Sequence, residues 1–309
     1  MKDKEPQSLT SWLKHLGSQQ WAYFGTEKYR DNSFSPPRIN PAPDFIYKKR
    51  LWMHLGTFVD YMIRKFFRDS LISQQAEIVF EDGLVAEIGL ALLFRKDEKS
   101  GEVFIRGRNK REASKTLSLY KNGLQWVKNY KEKSWNQALS DIWLMTGLDR
   151  IYREGRFPNT VPLSDAEINQ IEGFLSNILE WLKEAFSSTK KVYLNPTLGY
   201  RGLIKADADL IIDDTLWDIK TTKNPRKVPY REINQLLGYA SLAHYHTKYS
   251  LTDFPFISTV GFLFPQQLNC WQLKLDDFGV TEREQMIKKF EHLRDGTVPQ
   301  QQKKLSDFF

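Results

Sequence analysis

Asp209, Asp218 and Lys220 are the residues whose types and spacing can do chemistry. Asp209 stands directly before the apolar run Leu210-Ile211-Ile212. Asp218 and Lys220 stand two apart at the end of the next apolar run, 215–219. Strand side chains alternate between faces, so Asp218 and Lys220 share one. If the two runs pair antiparallel around a tight turn at Asp213-Asp214, Asp209 approaches Asp218 across the ladder. Two carboxylates and an ammonium then converge on one spot. Hydrolysis of a phosphodiester uses such a set. Hard oxygen ligands hold Mg²⁺, which keeps several waters and takes few protein carboxylates. The metal lowers the pKa of a bound water and stabilises the charged transition state. A lysine beside it orients that water or helps deprotonate it, and neutralises charge on the phosphate.

An Asp-x-Lys triplet by itself more often belongs to a surface salt-bridge ladder. Here it follows Trp217 and is set among apolar strand residues, where charges are costly without a task. Asp207 shares a strand face with Asp209, as an alternative to it or as a supporting partner. Asp207-Ala208-Asp209 also reads as the D-x-D metal motif of a glycosyltransferase, but that class needs a nucleotide-sugar fold ahead of the motif, and helical patterns stand there instead.

Gln235 and Tyr239 lie four apart and so share one face of a helix. With them the chain resembles the PD-(D/E)XK nuclease superfamily, in its RecB-like and lambda-exonuclease-like branch. That branch carries an aspartate opening a strand, a (D/E)-x-K on the next strand, and Q-x-x-x-Y on the following helix. Asp209, Asp218-Ile219-Lys220 and Gln235-Leu-Leu-Gly-Tyr239 match these in order. RecB-like nucleases also have an early helix that opens with glycine and carries a metal-binding histidine. Gly56-Thr-Phe-Val-Asp60 stands in that place, with aspartate instead of histidine. A carboxylate suits Mg²⁺ or Mn²⁺; a solvated helix position is the plain alternative. The resemblance covers roughly residues 50–70 and 190–275.

The resemblance implies an α/β, restriction-endonuclease-like core, a mixed central sheet flanked by helices, with an α-helical insertion. It implies Mg²⁺ or Mn²⁺ held by Asp209, Asp218, the Ile219 carbonyl and, by position, Asp60. Lys220 becomes the catalytic lysine. Gln235 contacts the active-site loop or substrate backbone, and Tyr239 packs beside the scissile phosphate. The implied substrate is DNA, cut at ends, flaps or single strands. Thr221, Thr222, Lys223, Arg226 and Lys227, just past Lys220, are candidate contacts to the DNA backbone. A second basic cluster, Arg106, Arg108, Lys110, Arg111 and Lys115 with Lys121, Lys128, Lys131 and Lys133, fits a phosphate-tracking path or a solvated helix face.

These residues need elements to position them. Apolar spacing of three and four over 45–68 predicts an amphipathic helix. Residues 75–107 read as β-rich, with a competing helical reading over 84–94. Residues 112–150 read as mostly helical, and Ser164 with Glu167 forms a capping box before a further helix. A short strand at 192–194 and the catalytic strand pair follow. A helix over 231–246, strands at 256–264 and 270–275, and a helix over 281–294 complete the pattern. Segment 1–45 reads as an N-terminal arm on the main body, with the proline runs 35–37 and 41–43 extended or irregular. The expected nuclease domain spans 46–295, with its helical insertion around 112–187.

The tail, 296–309, ends in Gln302-Lys-Lys-Leu305-Ser-Asp-Phe308-Phe309. It resembles the peptide that binds sliding clamps of the PCNA type. One helical turn brings Leu305, Phe308 and Phe309 to one side as an apolar plug; docking back on the chain's own surface is the alternative. The composition, 41% hydrophobic and 27% charged, is that of a globular chain, and the formal charge of +7 favours an anionic partner. One cysteine, Cys270, and five scattered histidines exclude a disulfide framework and a cysteine-built zinc site. A charged N-terminus and the lack of a long apolar run predict an intracellular protein, cytoplasmic or in the nucleoid or nucleus.

Overall fold

Apolar periodicity and turn chemistry set most elements of the computed structural model, which describes residues 7–16, 20–29, 42–49, 51–73, 77–81, 84–96, 103–105, 110–154, 161–199, 204–222 and 228–294. The chain divides into two compact units. One comprises Met1–Pro37, Lys191–Phe264 and Asn269–Phe309; the other comprises Arg38–Lys190 and Pro265–Leu268. The second unit holds together because its helices ahead of 112 bury their faces on the helices after it.

The first unit opens with β1 (Gln7–Ser8), α1 (Leu9–Leu16) and α2 (Gln20–Phe24). The arm is helical here because Leu9, Leu13, Trp21, Tyr23 and Phe24 are apolar surfaces with somewhere to be buried. The prolines at 36, 37 and 41 lie outside the described residues.

In the second unit the helix expected over 45–68 is two, α3 (Asp44–Lys48) and α4 (Trp52–Ser73). β2 (Glu77–Glu81) follows, and the helical reading of 84–94 holds in α5 (Val85–Ala91). β3 (Phe94–Lys96) and β4 (Val103–Ile105) pair antiparallel. Then come α6 (Lys110–Glu132), α7 (Trp135–Glu154) and α8 (Asp165–Ala185). The α8 capping box is present: Glu167 accepts hydrogen bonds from the Ser164 amide and hydroxyl, each 3.0 Å. α7 is the hub, packing on α4, α5 and α6.

A buried polar group ties α4 to α7. Tyr61 donates to Asp149, and its oxygen accepts the Ala86 amide at 3.1 Å. Asp149 is 1% exposed. Burial raises its carboxyl from 3.8 to about 6, against the opposing pull of Tyr61, Arg153 and Arg64. A pKa raised on folding means that the protonated form favours the fold. That stability is present below about pH 4 and lost as the pH rises through about 6. Asp149→Asn fixes a neutral group there, so it is expected to add on the order of 2 kcal/mol at neutral pH, fading toward pH 4. Urea unfolding of both proteins across that range checks this. A loss of stability that is the same at every pH would contradict it.

The chain returns to the first unit with β5 (Lys191–Leu194), β6 (Ile204–Lys205), β7 (Leu210–Ile212) and β8 (Thr215–Ile219). α9 (Val228–Lys248), β9 (Thr259–Phe264), β10 (Asn269–Lys274) and α10 (Val280–Arg294) complete it. Five strands of a mixed sheet lie here in the order β10-β9-β8-β7-β5. β7 and β8 pair antiparallel with Leu210 opposite Trp217. β8 and β9 run parallel with Trp217 opposite Gly261. The turn between β7 and β8 works because Asp213 accepts a left-handed backbone, φ 53°. α9 packs on β8, β9, α1 and α10. β1 pairs parallel with β6. Thr26 donates to the Asn234 side chain of α9 at 2.6 Å. Among the described residues no helix is long and apolar enough to cross a membrane.

Candidate active site

β7 and β8 bring the predicted acidic residues together. Continuing their register by one step past Leu210 and Trp217 sets Asp209 opposite Asp218. Directly opposed residues of an antiparallel pair face the same way. The Asp209 carboxylate accepts the Ile219 amide at 2.6 Å, which fixes it against the end of β8. Asp218 is 6% exposed and pairs with Lys220 at 2.7 Å. The Lys220 backbone is anchored in turn, its amide donating to the Leu263 carbonyl at 2.8 Å. Its ammonium lies 5.9 Å from the centre of the Phe262 ring.

α9 supplies the rest. Gln235 donates to the Tyr239 hydroxyl at 2.7 Å, one helical turn apart, and both are buried. Burial raises the Tyr239 pKa above its ordinary range, and the Asp218 and Asp209 charges raise it further. Tyr239 therefore stays a neutral hydroxyl beside the carboxylates. One residue was missed by the sequence reading. Glu232, three residues before Gln235 on α9, also pairs with Lys220. Its signal was its spacing, since three residues bring it to the Gln235 side of the helix. Burial lowers the Lys220 pKa, but Asp218 and Glu232 outweigh it, so the pKa rises above the usual lysine value. Lys220 is held as an ammonium, a hydrogen-bond donor and positive charge rather than a proton acceptor.

Three carboxylates against one ammonium leave a formal charge of 3 − 1, or two negative charges in excess. Among the described residues no cluster of three histidine, cysteine, aspartate or glutamate side chains forms a ready metal cage. Mg²⁺ does not need one: it binds through one or two carboxylates and keeps its waters and substrate phosphates. Asp209, Asp218 and the Ile219 carbonyl are hard oxygen donors of that kind, and an anionic pocket matches a divalent cation in charge. The donor chemistry fits.

The remaining candidates fall differently. Asp60 lies on α4 in the second unit, where one carboxylate oxygen is ion-paired with Arg64 one turn on and the other is buried without a hydrogen-bond partner among the described residues. Asp207 is exposed and bridges to Thr197. Thr221 and Thr222 follow Lys220 directly, and the Thr221 hydroxyl is buried without a hydrogen-bond partner among the described residues. Lys223, Arg226 and Lys227 lie outside the described residues, as do Arg106, Arg108, Gln302, Leu305, Phe308 and Phe309. On α6 and after it, Lys128, Lys131 and Lys133 pair with Glu132, Glu87 and Asp141, the pattern of a solvated helix face.

No family model, curated protein or solved structure matches the chain. The site stands on its own residues.

Proposed function

We propose that the chain is a Mg²⁺- or Mn²⁺-dependent deoxyribonuclease with a restriction-endonuclease-like core, hydrolysing phosphodiester bonds of DNA at ends, flaps or single strands. The observation that carries the reading is the convergence of Asp209, Asp218 and Lys220 at the edge of one strand pair, with carboxylate in excess. A cation held by Asp209, Asp218 and the Ile219 carbonyl would supply a lowered water pKa and charge stabilisation at the phosphate. The chain's own residues do the positioning. Asp209 is fixed by the Ile219 amide, which holds its carboxylate against the end of β8. Lys220 adds a fixed positive charge for the developing charge of the transition state. Gln235 holds the Tyr239 hydroxyl, a neutral donor, beside both carboxylates. Thr221, Thr222, Lys223, Arg226 and Lys227 would follow the DNA backbone. The tail residues Gln302, Leu305, Phe308 and Phe309 would carry the enzyme to a sliding clamp.

Incubation with end-labelled single-stranded, duplex, flapped and circular DNA, in Mg²⁺, Mn²⁺ or EDTA, tests this. The expected result is metal-dependent cutting of substrates with ends or single-stranded parts. Sequence-specific cutting of closed duplex alone would remove the end and flap specificity. The clamp-like tail favours a second reading, a catalytically silent DNA-binding adaptor; DNA bound but never cut in either metal would select it.

A further inference from the structure

Glu232 belongs to none of the three motifs, yet it shares the lysine on which the nuclease reading depends. We propose that Glu232 is a positioning residue: its ion pair with Lys220 keeps the ammonium in the site while Asp218 is engaged with a cation. The proposal rests on that nuclease reading.

Lysine is a point charge on a flexible four-carbon stem, so it does not hold a position without partners. Asp218 is one partner, at 2.7 Å, but it has a second demand, since it is also a candidate cation ligand. A carboxylate turned toward a cation gives up part of its hold on the ammonium. Lys220 has a side chain only 21% exposed, so water replaces that partner poorly. Glu232 holds the same ammonium from another element. α9 carries it one turn before Gln235 and packs against both β8 and β9. The ammonium is thus set between a strand carboxylate and a helix carboxylate, with the Phe262 ring beside it. The Glu232 oxygen that meets the ammonium is itself buried, so the helix carboxylate holds Lys220 away from solvent.

The test uses the full-length protein and Glu232→Gln, which keeps the shape and removes the charge. Labelling of the Lys220 amine by an N-hydroxysuccinimide acetate, followed by peptide mass spectrometry, reads the ion pair without needing any activity. Labelling is expected to be several-fold faster in the variant at an unchanged melting temperature. Cleavage of end-labelled DNA in Mn²⁺ reads the function. Glu232→Gln is expected to lower kcat by about 10²-fold, the scale of a misplaced catalytic group. KM for DNA and the Mn²⁺ half-saturation should stay unchanged, and Glu232→Asp should recover part of the loss. Equal labelling rates in wild type and variant would overturn the proposal. So would a raised Mn²⁺ half-saturation in Glu232→Gln, which would make Glu232 a metal ligand. A wild type that never cuts DNA, with the labelling contrast intact, would remove the nuclease reading and still support placement of Lys220 by Glu232.

Discussion

Asp218→Asn should reduce Mg²⁺-dependent DNA cleavage by about 10³-fold, since metal charge stabilisation supplies several kcal/mol and each 1.36 kcal/mol is tenfold. Asp218 is the carboxylate with most connections in the site. It stands opposite Asp209 in the β7–β8 register, pairs with Lys220 and raises the pKa of Tyr239. Asparagine keeps the shape but removes the charge a cation would require. Lys220 keeps its second partner, Glu232, so the fold should survive. Single-turnover rates of wild type and variant, with circular dichroism to confirm folding, measure the effect. A folded variant within a few-fold of the wild-type rate would show that the chemistry does not pass through Asp218.

The second large effect falls on the scaffold. Gly261 lies opposite Trp217, the residue next to Asp218. A Cβ at Gly261 would meet the Trp217 ring at 2.6 Å and the Trp271 carbonyl oxygen, also at 2.6 Å. Trp217 is 2% exposed, and the carbonyl is backbone of the neighbouring strand, so neither can retreat cheaply. Glycine within a strand marks such a close approach. Gly261→Ala is expected to destabilise the first unit by on the order of 3 kcal/mol, the upper part of the usual cost of overpacking. It should also slow cleavage, because the β8 backbone that orients Asp218 must shift. Urea unfolding followed by tryptophan fluorescence reads the first effect. An unchanged midpoint would mean that β9 can move away from Trp217 without loss.

Most of the site was legible because it follows from local periodicities. The two-residue alternation of a strand joined Asp218 to Lys220, and the tight turn at Asp213-Asp214 set the register that brings Asp209 opposite Asp218. The four-residue spacing of a helix joined Gln235 to Tyr239. Glu232 was legible only in part: its spacing sets it on the Gln235 side of α9, but its meeting with Lys220 depends on how α9 packs on β8, which no spacing encodes. The N-terminal helices were hidden for a related reason: α1 and α2 are short, and α1 is ordered by burial on α9 rather than by propensity. The division into two units was equally hidden, because α4 and α5 find their partners in α6 and α7, up to about ninety residues along the chain.

The most direct measurement is release of label from an end-labelled single strand by wild type and Lys220→Ala, side by side in Mg²⁺ and in EDTA. Wild type is expected to cut in Mg²⁺ alone, and Lys220→Ala to release no label above background, which also guards against a contaminating nuclease. Equal cutting by the two proteins, or cutting that persists in EDTA, would contradict a metal-dependent active site built on Asp209, Asp218 and Lys220.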